Sequence, residues 1–315
     1  MSHSIEISVV IPVYNEKENI KILYDELSRV LNNFEFRSEV IFVDDGSVDD
    51  TFGTIRNLIN SNMVQVKAIS LSRNFGHQIA LTAGLEQAKG KVAISLDGDM
   101  QHPPSVIPEL YKKYLDGYDI VNTIRRDDEK VGVFKQMSSG LFYKIFNFLS
   151  PTRIESATAD FRLLSRKALD AFLQFPEKDR FIRGMVVWMG FSQTYISYKA
   201  DARRKGNSKF TLLKMLSLSL NAITSFSSAP LKIPLLMGGV VFFISVFYIF
   251  FALWRYAHGA TIPGWTSLLV SVLFLGSVQL ISIGILGVYL GRIFNETKSR
   301  PLYFVKETWG ILSRD

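Results

Sequence analysis

Val92-Ala93-Ile94-Ser95-Leu96 runs straight into Asp97-Gly98-Asp99-Met100-Gln101-His102-Pro103-Pro104, and this junction decides the fold. The first five residues form an apolar run of the kind found in a buried parallel strand. Ligands of open α/β sheets sit just beyond the carboxyl ends of such strands, so the two aspartates fall where chemistry is expected. Mg²⁺ and Mn²⁺ prefer oxygen ligands and keep waters and substrate phosphates in their shell. One or two carboxylates therefore suffice where a nucleoside diphosphate completes the shell. Standing alone, Asp-x-Asp also fits a solvated turn, because Asp and Gly are common turn residues.

Working outward, residues 5 to about 125 alternate β-branched runs with helical patterns. Ile7–Ile11, Val40–Val43, Val64–Leu71, Val92–Leu96 and Ile120–Thr123 read as strands, and Glu16–Leu31, Asp49–Ile59, Gly76–Lys89 and Pro103–Leu115 as the helices between them. That alternation predicts a doubly wound, mostly parallel α/β sheet with right-handed crossovers. Four more polar segments then fall at carboxyl ends of strands: Tyr14-Asn15-Glu16, Asp44-Asp45-Gly46-Ser47, Ser72-Arg73-Asn74-Phe75-Gly76 and Arg125-Arg126. All would converge on one edge of the sheet. For Asp44 and Asp45 an Asx turn with Gly46 is an equal alternative to ligand binding. Arg73 and Asn74 fit a solvent-facing loop as readily as a site, and His77 and His102 read as structural. Beyond residue 126 the pattern predicts helices at Val133–Leu149 and Ser165–Phe175 and a strand at Ser192–Tyr198.

The C-terminal third has a different composition. Ile233–Trp254 and Ser267–Gly291 contain no charged residue, and each is longer than the roughly 20 residues that cross a ~30 Å hydrocarbon core. A short connector with Gly259, Pro263 and Gly264 makes them a predicted transmembrane hairpin. Lys and Arg precede and follow the hairpin, whereas the connector region offers only Arg255, so both termini are expected in the cytoplasm. Leu212, Leu213, Met215, Leu216, Leu220 and Ile223 approximate one apolar helical face within Thr211–Ser225. An amphipathic helix lying in the membrane interface fits that pattern, with packing on the soluble domain as the alternative. The expected domains are 1–210 (catalytic), 211–230 (interfacial helix), 231–291 (hairpin) and 292–315 (cytoplasmic tail).

Zero cysteines exclude disulfides, thiolate catalysis and Cys-ligated zinc, and four scattered histidines argue against a His-rich metal centre. Met1–Glu6 carries no secretory pattern. The formal charge of +7 suits anionic headgroups and phosphate ligands. Nucleic acid is not an expected partner, since no basic run is interleaved with exposed aromatics. Asn295-Glu296-Thr297 matches a glycosylation sequon but falls on the cytoplasmic side of the expected topology. Gly276, Gly284, Gly287 and Gly291 would support helix association, within the hairpin or between subunits of a homo-oligomer.

Five motifs, Ile-Pro-Val-Tyr-Asn-Glu (11–16), Val-Asp-Asp-Gly-Ser (43–47), Ser-Arg-Asn-Phe-Gly (72–76), Asp-Gly-Asp-Met-Gln-His-Pro-Pro (97–104) and Ala-Asp-Phe-Arg-Leu (159–163), occur in an order that resembles family 2 glycosyltransferases of the GT-A fold. Within them the chain is similar to polyprenyl-phosphate glycosyltransferases related to dolichyl-phosphate mannose synthase and the bactoprenol glucosyltransferases. The resemblance implies that Pro12, Tyr14, Glu16 and Asp44 hold the nucleoside, with Asp45 supporting that loop. It implies that Asp97 and Asp99 serve the ribose-diphosphate and a Mg²⁺ or Mn²⁺ ion, with Gln101 as a further metal ligand. Asp160 aligns with the family's aspartate near the sugar. An acceptor hydroxyl would need a base there, but a phosphate monoester is already largely ionised at neutral pH, with a second pKa near ~6. Asp160 is therefore expected to orient acceptor or sugar, with proton removal secondary; a helix cap before Phe161 is the bland alternative. Arg125 is the best-placed cation for a dianionic acceptor, followed by Arg126, Arg203, Lys205 and Lys209. The positive-inside rule alone would also place the last of these near a membrane.

The expected function is inverting transfer of a sugar, glucose first, from a UDP-sugar to a polyprenyl phosphate. A mannose or amino-arabinose donor on the same lipid is the nearest rival. A processive polysaccharide synthase is disfavoured by the absence of Gln-x-x-Arg-Trp around Trp188. A catalytically silent membrane scaffold has no need of converging acids.

Overall fold

The computed structural model describes residues 5–58, 64–126, 158–199, 229–258 and 264–310. They fall into two compact units. One contains the described residues up to Arg126, those from Thr158 to Lys199 and those from Arg300 onward; the other runs from Ala229 to Ser299. The helices expected at Val133–Leu149 and Thr211–Ser225 lie outside the described residues.

The first unit is a single sheet with helices packed on it. In chain order it contains β1 (Ile7–Val13), α1 (Lys17–Leu31), β2 (Ser38–Asp44), α2 (Thr51–Arg56), β3 (Gln65–Leu71), α3 (His77–Gln87) and β4 (Val92–Ser95). A 3₁₀ turn (Pro104–Val106), α4 (Ile107–Leu115), β5 (Ile120–Arg126), β6 (Thr158–Ser165), α5 (Arg166–Leu173), α6 (Ile182–Trp188) and β7 (Gln193–Lys199) follow. The last strand, β8 (Val305–Trp309), comes near the end of the chain. Spatial order is β7-β5-β6-β4-β1-β2-β3-β8. β6 and β8 run against the other six, so the expected mostly parallel sheet is present.

Every residue of β1 and β2 is buried, as befits central parallel strands covered on both faces. α1 presents Ile20, Leu23, Leu27 and Leu31 to the core at helical spacing, each worth roughly 1.5–3 kcal/mol when fully buried. α3 lies closest to the strands. A Cβ on Gly84 would come 2.3 Å from Val10 Cγ1 and 2.8 Å from Val43 Cγ2, so only glycine lets this helix approach β1 and β2. Pro12 is tolerated in a central strand because β4 ends opposite Val10. It lies close to the carboxyl end of β1, where little of that ladder is left for a missing N–H to interrupt.

At the amino ends of the strands the buried Glu39 carboxylate accepts from Ser8 Oγ at 2.6 Å, from Lys89 N at 2.7 Å and from the buried Lys67 ammonium. Ser8 Oγ in turn accepts from Gly90 N at 2.7 Å. This network ties β1, β2, β3 and the turn into β4, away from the strands' carboxyl ends.

β8 was not foreseen from sequence, which treats 292–315 as a tail. It pairs antiparallel with β3, Ala68 opposite Trp309 and Ser70 opposite Glu307. Arg56 stacks 4.6 Å over the Trp309 ring and lies 3.4 Å from Glu307.

The second unit is a pair of long helices packed on each other, α7 (Ala229–Ala257) and α8 (Trp265–Thr297). Among the described residues one stretch, Phe274–Thr297, is long and apolar enough to cross a membrane, and none of it is buried; α7 contributes the shorter apolar stretch Leu236–Tyr248.

Candidate active site

Because β1 to β5 run parallel, the segments that follow them emerge along one edge. β6 runs the opposite way and so begins at that edge, bringing Asp160 to it. The loops are stitched together there. Asn15 sits in the left-handed region with φ 54°; its N–H donates to Ser47 Oγ and its Oδ1 accepts from Val48 N, both at 2.9 Å. Asp44 accepts from Ser47 N and Ser70 Oγ, both at 3.0 Å, which ties its carboxylate to the loop that follows it and to β3. Gly46 has φ 69°, and a Cβ there would lie 2.4 Å from the Arg73 carbonyl carbon. Asp45 reaches across to the third loop, accepting from Phe75 N at 2.7 Å and Gly76 N at 2.9 Å. Burial raises its pKa above the usual carboxylate value, and those two amide bonds offset part of the rise.

Asp97 follows β4. Its Oδ1 lies 2.8 Å from His77 Nε2, at the start of α3, and its N–H donates to His102 Nδ1 at 3.0 Å. Burial opposes ionisation of Asp97, but His102 and His77 outweigh it and bring the carboxyl down to about 2. Partial loss of water around the His77 ring opposes its charging, yet Asp97, through its charge and the hydrogen bond, drives it up to about 9. Asp99 Oδ1 accepts from Gln101 N at 3.1 Å, and Gln101 Oε1 accepts from Arg125 Nη1. Asp97 and Asp99 form an all-oxygen donor pair. Among the described residues no group of three or more His, Cys, Asp or Glu could hold a metal by itself. The donor set fits Mg²⁺ or Mn²⁺ completed by substrate phosphates and water, and does not form a closed protein cage.

Asp160 is fixed more firmly. Ser95 Oγ donates to its backbone carbonyl, holding it against β4. Its carboxylate receives Arg183 Nε on Oδ1 at 3.0 Å and Arg183 Nη2 on Oδ2 at 2.9 Å, and Arg162 Nη2 also donates to Oδ1 at 3.0 Å. Burial alone would raise its pKa; the two guanidiniums, Arg183 foremost, hold it far below the usual carboxylate range. Arg162 is 2% exposed and also donates to Ala159 O at 3.1 Å.

Of the residues singled out from sequence, Pro12, Tyr14, Glu16, Asp44, Asp45, Asp97, Asp99, Gln101, Arg125, Arg126 and Asp160 all belong to these strand ends and the loops beyond them. Arg203, Lys205 and Lys209 lie outside the described residues. Four partners of the key acids were not singled out, His102, read as structural, and Arg162, quoted only within its motif, among them. His77 was read as structural, and Arg183 carried no signal, since it lies 23 residues from Asp160 on a helix only seven residues long.

The profile of glycosyl transferase family 2 matches residues 8–173. The chain is 41% identical to an uncharacterized glycosyltransferase of Synechocystis, over 98% of this chain and 97% of that one. It is 40% identical to the bactoprenol glucosyl transferase of Shigella phage SfX, over 96% and 99%. Among solved structures, mannosyl-3-phosphoglycerate synthase from Rubrobacter xylanophilus superposes with a TM-score of 0.51 at 16% identity, covering 70% of this chain and 72% of that one. The last is a likeness of fold.

Proposed function

Because the chain belongs to glycosyl transferase family 2, we propose that it moves a sugar, glucose first, from a UDP-sugar to a polyprenyl phosphate at the cytoplasmic face of a membrane, with inversion. The observation that carries this reading is the meeting of Asp97 and Asp160 at one sheet edge, each kept ionised by basic partners. Similarity to bactoprenol glucosyl transferases over nearly the whole length supports the lipid acceptor.

In this proposal Pro12, Tyr14, Glu16 and Asp44 hold the nucleoside, and Asp45 keeps the second and third loops in contact. Asp97 and Asp99 would hold Mg²⁺ or Mn²⁺ beside the diphosphate end, with the Gln101 amide oxygen as a further donor. A bound divalent ion would supply positive charge to the leaving diphosphate. Arg125 and Arg126, with Arg203, Lys205 and Lys209, attract the acceptor phosphate. That acceptor needs little deprotonation at neutral pH, so Asp160 contributes alignment.

Two crossings of the membrane are part of the proposal. Phe243, Phe247, Leu280 and Leu290 are each more than two-thirds exposed, an apolar surface that lipid would cover. β8 follows α8 yet pairs with β3, so the chain returns to the side it left. A return favours an even number of crossings, with α7 as the partner of α8.

The test is transfer of label from UDP-glucose to short-chain polyprenyl phosphate by purified protein, with and without Mn²⁺, followed by lipid extraction. Metal-dependent label in the lipid is expected. Retained UDP binding without labelled lipid would discard glucose and direct the assay to UDP-linked amino sugars and GDP-mannose.

A further inference from the structure

The Asp160 carboxylate is gripped by a residue outside every motif of the sequence. Arg183 places Nε and Nη2 on its two oxygens, a fork that sets the carboxylate plane as well as its position. Arg162, buried beneath, adds a second guanidinium on Oδ1. The helix that carries Arg183 is itself pinned to the other half of the site. Ile182 N donates to Gln78 Oε1 at 3.2 Å, and the residue before Gln78, His77, turns its Nε2 to Asp97. The first turns of α3 and α6 are thus bonded to each other, and each grips one of the two site carboxylates.

We propose that Arg183 is a positioning residue that locks Asp160 as an aligning carboxylate with both oxygens committed, and that the Gln78 bridge keeps it in step with the Asp97 side of the site. The proposal rests on the transferase reading above. Three guanidinium N–H groups on this carboxylate suit it to alignment over proton removal; loss of the fork lets the carboxylate rotate and lose its alignment.

The experiment compares Arg183→Gln, Arg183→Lys, Asp160→Asn and the Arg183→Gln/Asp160→Asn double variant in the labelled-lipid assay, with UDP affinity measured in parallel. Arg183→Gln is expected to lower kcat about 100-fold with the KM for the nucleotide sugar within about 2-fold, the pattern of lost alignment. Lysine offers a point charge without the fork and should recover roughly 10-fold of that loss. The double variant should be no slower than the worse single variant, because the two residues act as one unit. A kcat within about 3-fold of the wild type, or losses that multiply in the double variant, would overturn the proposal. Should the wild type transfer nothing to polyprenyl phosphate, the acceptor reading fails, and the fork is judged from thermal midpoints of the same four proteins. Non-additive shifts then support it and additive shifts sink it.

Discussion

His77 Nε2 lies 2.8 Å from Asp97 Oδ1, so the first turn of α3 supplies a cationic partner to the first aspartate of the Asp-Gly-Asp segment. His77 is driven up to about 9 in this setting, against an unfolded value near ~6.5. Its charged form therefore stabilises the fold fully below the unfolded value, and that contribution is lost as pH rises through about 9. In chelator-treated protein the thermal midpoint of the wild type should exceed that of His77→Gln at pH 6 and converge on it by about pH 9.5. The imidazole is 40% exposed, so added salt should shrink the difference.

Asp99→Ala tests the donor side. Transfer should fall by about 10²–10³-fold, the usual loss when a charge-stabilising group is removed, with the thermal midpoint nearly unchanged. Unchanged cellular function of a variant that has lost turnover would return the scaffold reading to favour.

Glu39→Gln addresses stability away from the site. One member of a buried pair would be lost while Lys67 stays charged, at a cost of about 3–5 kcal/mol. Denaturant unfolding should report that loss, and the fraction that remains folded should bind UDP as the wild type does.

Gly46→Ala combines a positive φ with a Cβ 2.4 Å from backbone. Neither the turn nor the Arg73 backbone accommodates it, so UDP affinity should drop together with the thermal midpoint. Calorimetry on the purified variant checks both.

The parallel half of the sheet and the Asp97 edge were legible because their strands are uninterrupted apolar runs, each ending in polar residues. β6 was not, since Thr-Ala-Asp-Phe-Arg-Leu-Leu-Ser buries Asp160 and Arg162 inside a strand, and charges break the pattern that marks one. α6 is seven residues long with Gly184 in its middle, too short for helical periodicity to register. β8 has five exposed residues and no alternation; only its pairing with β3 makes it a strand. The grip of Arg183 on Asp160 is a contact between distant segments, and no local spacing encodes it.

β8 sets an order of events. The N–H of Ser72, which opens the third site loop, donates to Phe304 O at 2.9 Å, so the edge of the sheet beside that loop is closed by residues that leave the ribosome after both long helices. Until then β3 presents an unpaired edge, the feature through which half-made sheets associate wrongly. The newborn chain therefore finishes this sheet last, after both long helices have been synthesised. A fragment cut before α7 would lack the strand that seals the sheet.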